Sequence, residues 1–171
     1  MFSITREPVP DDALLRTFRG GTHPERWGSY ADCFAVGVER NVSLADFVFA
    51  FYTSPLFRVE RGLLRLLINA PSSRSDARAV ADGTGDKFAA WYVGQRTSTQ
   101  LLMCDRYERT RSWFCVAPRS GGQTHLQFGS AVAARGGGHS GIPQRPPASE
   151  LLLWFHVVYS QALLCAARAN L

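Results

Sequence analysis

The hydrophobic positions along this chain change their period near its middle. Between residues 44 and 69 the apolar side chains recur at helical spacing in two neighbouring segments, 44–51 and 56–69. Beyond residue 86 they fall into short runs that are rich in aromatic and β-branched residues. The turns between these runs are too short for a parallel crossover, so the pattern predicts an antiparallel meander. The predicted strands span residues 88–96, 100–105, 109–117 and 124–133.

One further strand and one long helix flank these segments. Residues 30–38 alternate well enough for a strand, and Ser43 is placed to cap the helix that follows. Residues 149–171 are predominantly apolar and predict a long closing helix. This order predicts a single α+β domain over residues 1–171, in which an antiparallel sheet wraps around the C-terminal helix and helices are inserted after the first strand. Such a wrap leaves an internal cavity, so we expect a binding site for an apolar small molecule.

Three shorter segments complete the predicted chain. Residues 11–18 and 75–81 predict short helices, and residues 135–147 predict a loop rich in Gly and Pro. Residues 136–141 match G-x-G-x-x-G by letter, but a dinucleotide-binding loop must open a helix, and three prolines follow here instead. We therefore interpret the loop as a connector or as a lid over the cavity mouth.

Composition and charge narrow the range of partners. Hydrophobic residues make up 46% of the chain and aromatic residues 12%, which is enough for a core and a pocket. The net charge is +5, but the basic residues are scattered, so we expect no nucleic-acid partner. The longest apolar stretch, residues 151–167, is interrupted by polar side chains, so we expect no membrane span. The first residues do not resemble a signal peptide, and we expect a cytoplasmic location.

The cysteines predict no metal centre. Cys33, Cys104, Cys115 and Cys165 form no CxxC pair, and no histidine spacing completes a zinc pattern. We expect reduced, buried thiols, with neither a metal nor a cofactor. A nucleophilic cysteine would need a nearby basic partner, which the sequence does not indicate.

One predicted strand carries a dense set of candidate binding residues. A period of two places Arg109, Arg111, Trp113 and Cys115 on one face of residues 109–117. If that face lines the cavity, Arg111 can hold an acidic ligand group while Trp113 forms an apolar wall. If it faces outward, the arginines are solvated and Trp113 covers surface. Trp91 is the corresponding aromatic candidate on its own strand.

The closing helix carries the weak candidates for chemistry. His156 and Ser160 share a helical face, and Tyr159 lies one position before Ser160. A histidine beside a tyrosine in an apolar cavity can act as a general acid or base. Alternatively, His156 hydrogen-bonds a neighbour and closes the core, or lies on a narrow wet stripe through Ser149, His156, Ser160 and Arg168. The sequence leaves these alternatives open.

The order of elements resembles a known superfamily. The strand at 30–38, the helices across 44–69, the meander over 88–133 and the helix 149–171 together resemble the START-like, or SRPBCC, helix-grip superfamily, which includes polyketide cyclase-like proteins. The resemblance covers about four fifths of the chain and favours a bacterial member of that superfamily. It implies binding of lipids, polyketides or other apolar molecules, and in some members cyclase or hydratase chemistry.

Three hypotheses follow from the sequence. The first is a protein that binds an apolar or amphiphilic ligand with an acidic group, through Trp91, Arg111, Trp113, His156 and Tyr159; it requires a cavity of roughly 300 Å³. The second is an enzyme of cyclase or isomerase type, which requires His156 and Tyr159 to share one cavity. The third is an interaction protein that forms a homodimer through the apolar C-terminal helix.

Overall fold

The computed structural model describes residues 3–17, 30–58, 72–106, 110–132 and 150–171. These residues form one antiparallel sheet with strand order β1-β2-β7-β6-β5-β4-β3, together with helices, so the fold class is α+β with a C-terminal helix. The consecutive order from β3 to β7 confirms the predicted meander. The strands are β1 (Thr5–Arg6), β2 (Tyr30–Val38), β3 (Lys87–Phe88), β4 (Trp91–Arg96), β5 (Gln100–Asp105), β6 (Thr110–Pro118) and β7 (Thr124–Val132).

Two of the described helices begin at residues with clear capping chemistry. Helix α1 (Leu44–Thr53) begins at Ser43, whose side chain accepts from the Asp46 backbone N–H as predicted. Helix α2 (Arg74–Asp82) begins with a capping box and ends at Gly83, whose φ of 78° favours glycine. The Arg96 guanidinium, from β4, donates to two carbonyls in the last turn of α2. Helix α3 (Glu150–Ala169) is the predicted C-terminal helix.

The structure corrects the sequence prediction in three places. The run 88–96 is two strands rather than one, because a two-residue turn at Ala89, with φ of 52°, joins Phe88 to Trp91. The short helix predicted over 11–18 is a 3-10 turn at Leu14–Thr17. Strand β1 was not predicted, because two residues are too few to show a period. Beyond residue 58, the predicted helix 56–69 lies outside the described residues, as does the loop 135–147.

The two faces of the sheet pack against different elements. On one face, which we call the helix-covered face, Phe34, Phe114 and Phe128 pack in one core with side chains of α1, α2 and α3. The opposite face, which we call the turn-covered face, packs Trp113 and Cys33 against Leu14 and other residues of the Leu14–Thr17 turn region. The register explains the separation, since Phe34, Phe128 and Phe114 lie opposite one another across β2, β7 and β6 and so project on the same side.

Within the described residues, no helix is both long and apolar enough to cross a membrane.

Candidate functional site

A cavity of about 210 Å³ lies on the helix-covered face, where α1, β6, β7 and α3 meet. One part of its lining is aromatic and the other part carries hydrogen-bonding side chains. The aromatic part comprises Phe51, Tyr52, Phe57, Trp91 and Phe128. The polar part includes Ser112, Ser130, His156, Tyr159 and Ser160.

The aromatic wall is a packed cluster of rings rather than a set of separate contacts. The ring centroids of Phe51 and Phe128 are 4.8 Å apart, and those of Tyr52 and Phe57 are 5.0 Å apart. Phe57 in turn lies 6.2 Å from Trp91, centroid to centroid. These separations are typical of favourable aromatic pairs. Because each ring is held by its neighbours, the wall presents a preformed apolar surface.

The polar side of the cavity is built on a hydrogen-bonded unit of Asp32, Ser130 and His156. Asp32 Oδ1 accepts from both the backbone N–H and the hydroxyl of Ser130, at 3.1 and 2.7 Å. The Ser130 Oγ lies 2.6 Å from His156 Nε2, and Asp32 Oδ2 lies 3.6 Å from the same nitrogen. The Asp32 side chain is fully buried, whereas that of His156 is 32% exposed. The unit therefore joins β2, β7 and α3 and ends in a side chain that faces the cavity.

The hydrogen bonds of this unit indicate which atoms are donors and which are acceptors. The Ser130 hydroxyl has one proton, which it donates to Asp32. His156 Nε2 must therefore donate to Ser130 Oγ, so the hydrogen-bond network assigns a proton to Nε2. A serine nucleophile would instead give its proton to the histidine, with the carboxylate on the other ring nitrogen. The arrangement thus differs from a hydrolytic triad and holds the imidazole in a defined orientation.

Sheet register explains how residues 98 positions apart in sequence come together. Asp32 lies opposite Ser130, and Ser130 lies opposite Ser112, so all three project toward the helices in one row. Sequence analysis missed Asp32 and Ser130. A signal was present, because Asp32 is the one charged residue within the strand 30–38 and shares its parity with buried Phe34 and Val36.

The structure brings four of the five predicted site residues to the cavity. Trp91, His156 and Tyr159 line it, and Arg111 also borders it, although the register of β6 directs position 111 to the same side of the sheet as Trp113. Arg111 is 4% exposed; its Nη1 donates to the Thr110 carbonyl at 3.0 Å and lies 3.9 Å from Asp105 Oδ1. The positive charge at this position therefore has a carboxylate of its own chain beside it.

Trp113 does not line the cavity, and its expected place beside Arg111 as a pocket wall is corrected. It lies fully buried on the turn-covered face, where its indole Nε1 donates to Gln100 Oε1 at 2.8 Å. The sequence analysis considered two places for Trp113, a cavity wall and the solvent-exposed surface. It lies in neither, because the turn at Leu14–Thr17 covers this face of the sheet. A period of two fixes which residues share a face but not what covers it.

Two residues of the predicted wet stripe on α3, His156 and Ser160, line the cavity, whereas Ser149 lies outside the described residues. Ser160 is 2% exposed and lines the cavity together with His156. His156 also makes the neighbour contact that the structural alternative predicted, with Ser130. The outer side of α3 carries Trp154 and Val158, which are 62% and 43% exposed.

The described thiols are poor nucleophiles or lie away from the cavity. Burial, with smaller effects from Glu7, Asp32 and Cys115, raises the pKa of Cys33 to about 12. Burial, assisted by Asp12, raises the pKa of Cys115 to about 11. Such thiols stay protonated at neutral pH and are unreactive. Cys165, expected to be buried, is exposed on α3.

The described residues contain no group of three or more His, Cys, Asp or Glu side chains that could hold a metal ion. No protein-family model, curated protein or solved structure matches this chain. The class of fold therefore rests on the described residues themselves: a seven-stranded antiparallel sheet with a C-terminal helix, compatible with a helix-grip arrangement.

Proposed function

We propose that this protein binds a small apolar or amphiphilic molecule in the cavity between the sheet and the C-terminal helix. The observation that carries the proposal is the division of the cavity lining into an aromatic wall and a polar side. Pockets for small molecules usually combine apolar walls with a few placed polar groups. A ligand that is flat and apolar at one end and polar at the other would match both parts of the lining.

The size of the cavity limits the ligand. Its volume of about 210 Å³ is below the roughly 300 Å³ that drug-sized pockets reach. The sequence-based hypothesis asked for the larger volume, so the proposal now concerns a smaller molecule, on the scale of one or two fused rings. A long lipid chain would exceed this volume.

The architecture supports the same proposal. An antiparallel sheet, helices after strand β2 and a long closing helix are the features by which the sequence resembles the START-like superfamily. We therefore propose the helix-grip fold for this chain. Since fold does not determine function, the argument for binding depends on the cavity itself.

Native mass spectrometry of the protein as purified tests the proposal. The expected result is a protein mass that exceeds the sequence mass by one small molecule and returns to it after denaturation. A matched pair of variants ties the ligand to the cavity. Ser112→Leu fills space in the cavity, whereas Ser98→Leu makes the same change in the exposed turn before β5.

The outcomes are distinct. The proposal is supported if Ser112→Leu no longer retains the molecule, or no longer binds an added fluorescent naphthalene probe, while Ser98→Leu still does. Equal retention in both variants, with both folded by circular dichroism, would contradict it.

A second candidate function is catalysis of cyclase or isomerase type. The observation that favours it is that His156 and Tyr159 line the same cavity. The expected result is that the purified protein converts the retained molecule to an isomer, that His156→Gln stops the conversion, and that binding persists. A retained molecule that is recovered unchanged after long incubation would reject catalysis while leaving binding in place.

The third candidate is association through the C-terminal helix. It is favoured by the exposure of Trp154 and Val158 on the outer side of α3, since exposed apolar side chains on one helix face can mark an interface. Light scattering should then give twice the chain mass, and Trp154→Glu should restore a monomer. A monomer at high concentration would count against it.

A further inference from the structure

Two serine hydroxyls in the cavity lining, those of Ser112 and Ser160, make no side-chain hydrogen bond within the described part of the chain. The third serine of the lining, Ser130, differs from both, because its hydroxyl donates to Asp32 and its Oγ lies 2.6 Å from His156 Nε2. Ser112 lies opposite Ser130 across β6 and β7. Ser160 lies one helical turn beyond His156 on α3. The two free hydroxyls therefore flank the occupied one.

Burial distinguishes these two hydroxyls. Ser112 is half-buried, whereas Ser160 is 2% exposed. A buried hydroxyl on a helix often donates to a carbonyl of the preceding turn, as Thr53 of α1 does to the Phe49 carbonyl at 2.7 Å. Ser160 makes no such bond in the described residues of α3. Because Ser160 lines the cavity, a molecule inside the cavity is the partner within its reach.

A buried hydroxyl without a partner in the chain makes a cavity selective. Water inside a polar cavity can bond to such a hydroxyl. A ligand that displaces this water without replacing its hydrogen bond leaves the hydroxyl unpaired and loses affinity. A site built to hydrogen-bond a ligand hydroxyl therefore rejects the analogue that lacks it. Because a serine hydroxyl has one donor and two acceptor positions, a ligand hydroxyl can either donate to it or accept from it.

We propose that Ser160 selects aromatic alcohols over aromatic hydrocarbons of the same shape, by forming a hydrogen bond with the ligand hydroxyl. This inference rests on the binding function proposed above and names the chemical class of its ligand. The aromatic wall, which includes Phe51 and Phe128, holds the rings, and the polar side of the cavity receives the hydroxyl. The hydrogen bond joins two uncharged groups, so the selection does not depend on the ionisation of any side chain.

The test compares two uncharged probes of nearly the same shape. 2-Naphthol and 2-methylnaphthalene carry a hydroxyl and a methyl group at the same ring position, and fluorescence titration at pH 7 measures the affinity of each. In Ser160→Ala the ratio of naphthol affinity to methylnaphthalene affinity should fall at least about fivefold. The reason is that naphthol loses a hydrogen bond, while methylnaphthalene no longer leaves a hydroxyl unpaired. Ser98→Ala removes a hydroxyl from the exposed turn before β5 and should leave the ratio unchanged.

The stability of the ligand-free protein distinguishes a ligand-binding serine from a structural one. Ser160→Ala removes no hydrogen bond of the described chain, and alanine is the better helix former. The urea midpoint of protein refolded free of ligand should therefore stay the same or rise, whereas loss of a structural hydroxyl would lower it. Ser160→Cys keeps nearly the same shape with a weaker donor, and should lower the affinity ratio in the same direction.

Each outcome decides the inference separately from the binding function. A ratio that changes by less than about fivefold in Ser160→Ala, or a lower urea midpoint, overturns the role of Ser160 and leaves cavity binding standing. A retained molecule that proves to be aromatic but without a hydroxyl also overturns it. If neither probe binds the unmodified protein, the inference fails for this ligand class, and the retained-ligand measurement still decides the proposed function.

Discussion

The two faces of the sheet are covered in different ways. The turn-covered face is closely packed, with Trp113 fully buried and its one indole donor matched to Gln100. The helix-covered face is lined with more apolar side chains, yet it leaves a cavity beside Asp32, Ser130 and His156. The same strands supply both faces through alternate residues.

The buried polar groups of the two faces have different roles. On the turn-covered face, polar atoms are used to fix packing, as when Gln100 Oε1 accepts from both Trp113 and the Leu14 backbone. On the helix-covered face, a buried carboxylate is retained beside an unfilled volume. Buried charge and empty volume both reduce stability, so their occurrence together is the strongest structural reason to expect a function there.

Trp113→Ala should have the largest effect, because it empties the closely packed face. We expect a loss of about 3–5 kcal/mol in the free energy of unfolding, from lost burial, a cavity and the loss of one of the two hydrogen bonds that Gln100 Oε1 accepts. Urea unfolding measures it, and Trp113→Phe is the milder control. The naphthalene probe should bind the folded variant as before. A loss below about 1 kcal/mol would show that this face is not tightly packed.

Alkaline pH should destabilise the same face through its thiols. The pKa values of Cys33 and Cys115 are raised from 9.0 to about 12 and about 11 in the folded protein. Stability is therefore full below pH 9 and falls as the unfolded thiols ionise, by about 1.4 kcal/mol per thiol at pH 10. Urea unfolding at pH 8 and pH 10 measures the fall. The double variant Cys33→Ala, Cys115→Ala should lose less over this range, and an equal loss would contradict the prediction.

Gly129→Ala compares the two faces by adding a single methyl group. The new Cβ would lie 2.9 Å from the Asp32 carbonyl oxygen and 3.0 Å from Trp113 Cε3, which is too close for ordinary contact. We expect a loss of about 1–3 kcal/mol. Ser112→Leu, on the cavity side, adds more atoms and should cost less than Gly129→Ala in the same thermal unfolding experiment. The reverse order would mean that the cavity is not open space.

Much of the fold was predictable because it depends on local patterns. The strands at residues 30–38 and 100–105 were predicted with the bounds that the structure shows, and the short turns correctly required an antiparallel meander. The turn at Ala89 was not predictable, since alanine carries no preference for positive φ. A period of two could not say which face of β6 meets the helices.

The candidate site was predictable only in part, because it depends on long-range register. His156 and Tyr159 stood out as polar residues in an apolar helix, and both line the cavity. Ser130 and Asp32 are paired only once β2 and β7 are aligned, and the sequence alone does not give that alignment. An acidic residue with the parity of buried phenylalanines was nevertheless a usable signal.

Glu7→Gln should have the smallest effect on the free energy of unfolding. It tests whether a change on the turn-covered face affects binding on the helix-covered face. Glu7 accepts from Gln127 Nε2 at 3.2 Å and lies 3.1 Å from His125 Nε2, at a partly exposed edge of the turn-covered face. Such a contact is worth about 0.5–1 kcal/mol. Its backbone N–H donates to the Cys33 carbonyl, so hydrogen exchange at this amide should speed up in the variant. Unchanged probe binding would show that loosening the edge does not reach the cavity, whereas weaker binding would show that the strand holding Asp32 transmits the change from one face to the other.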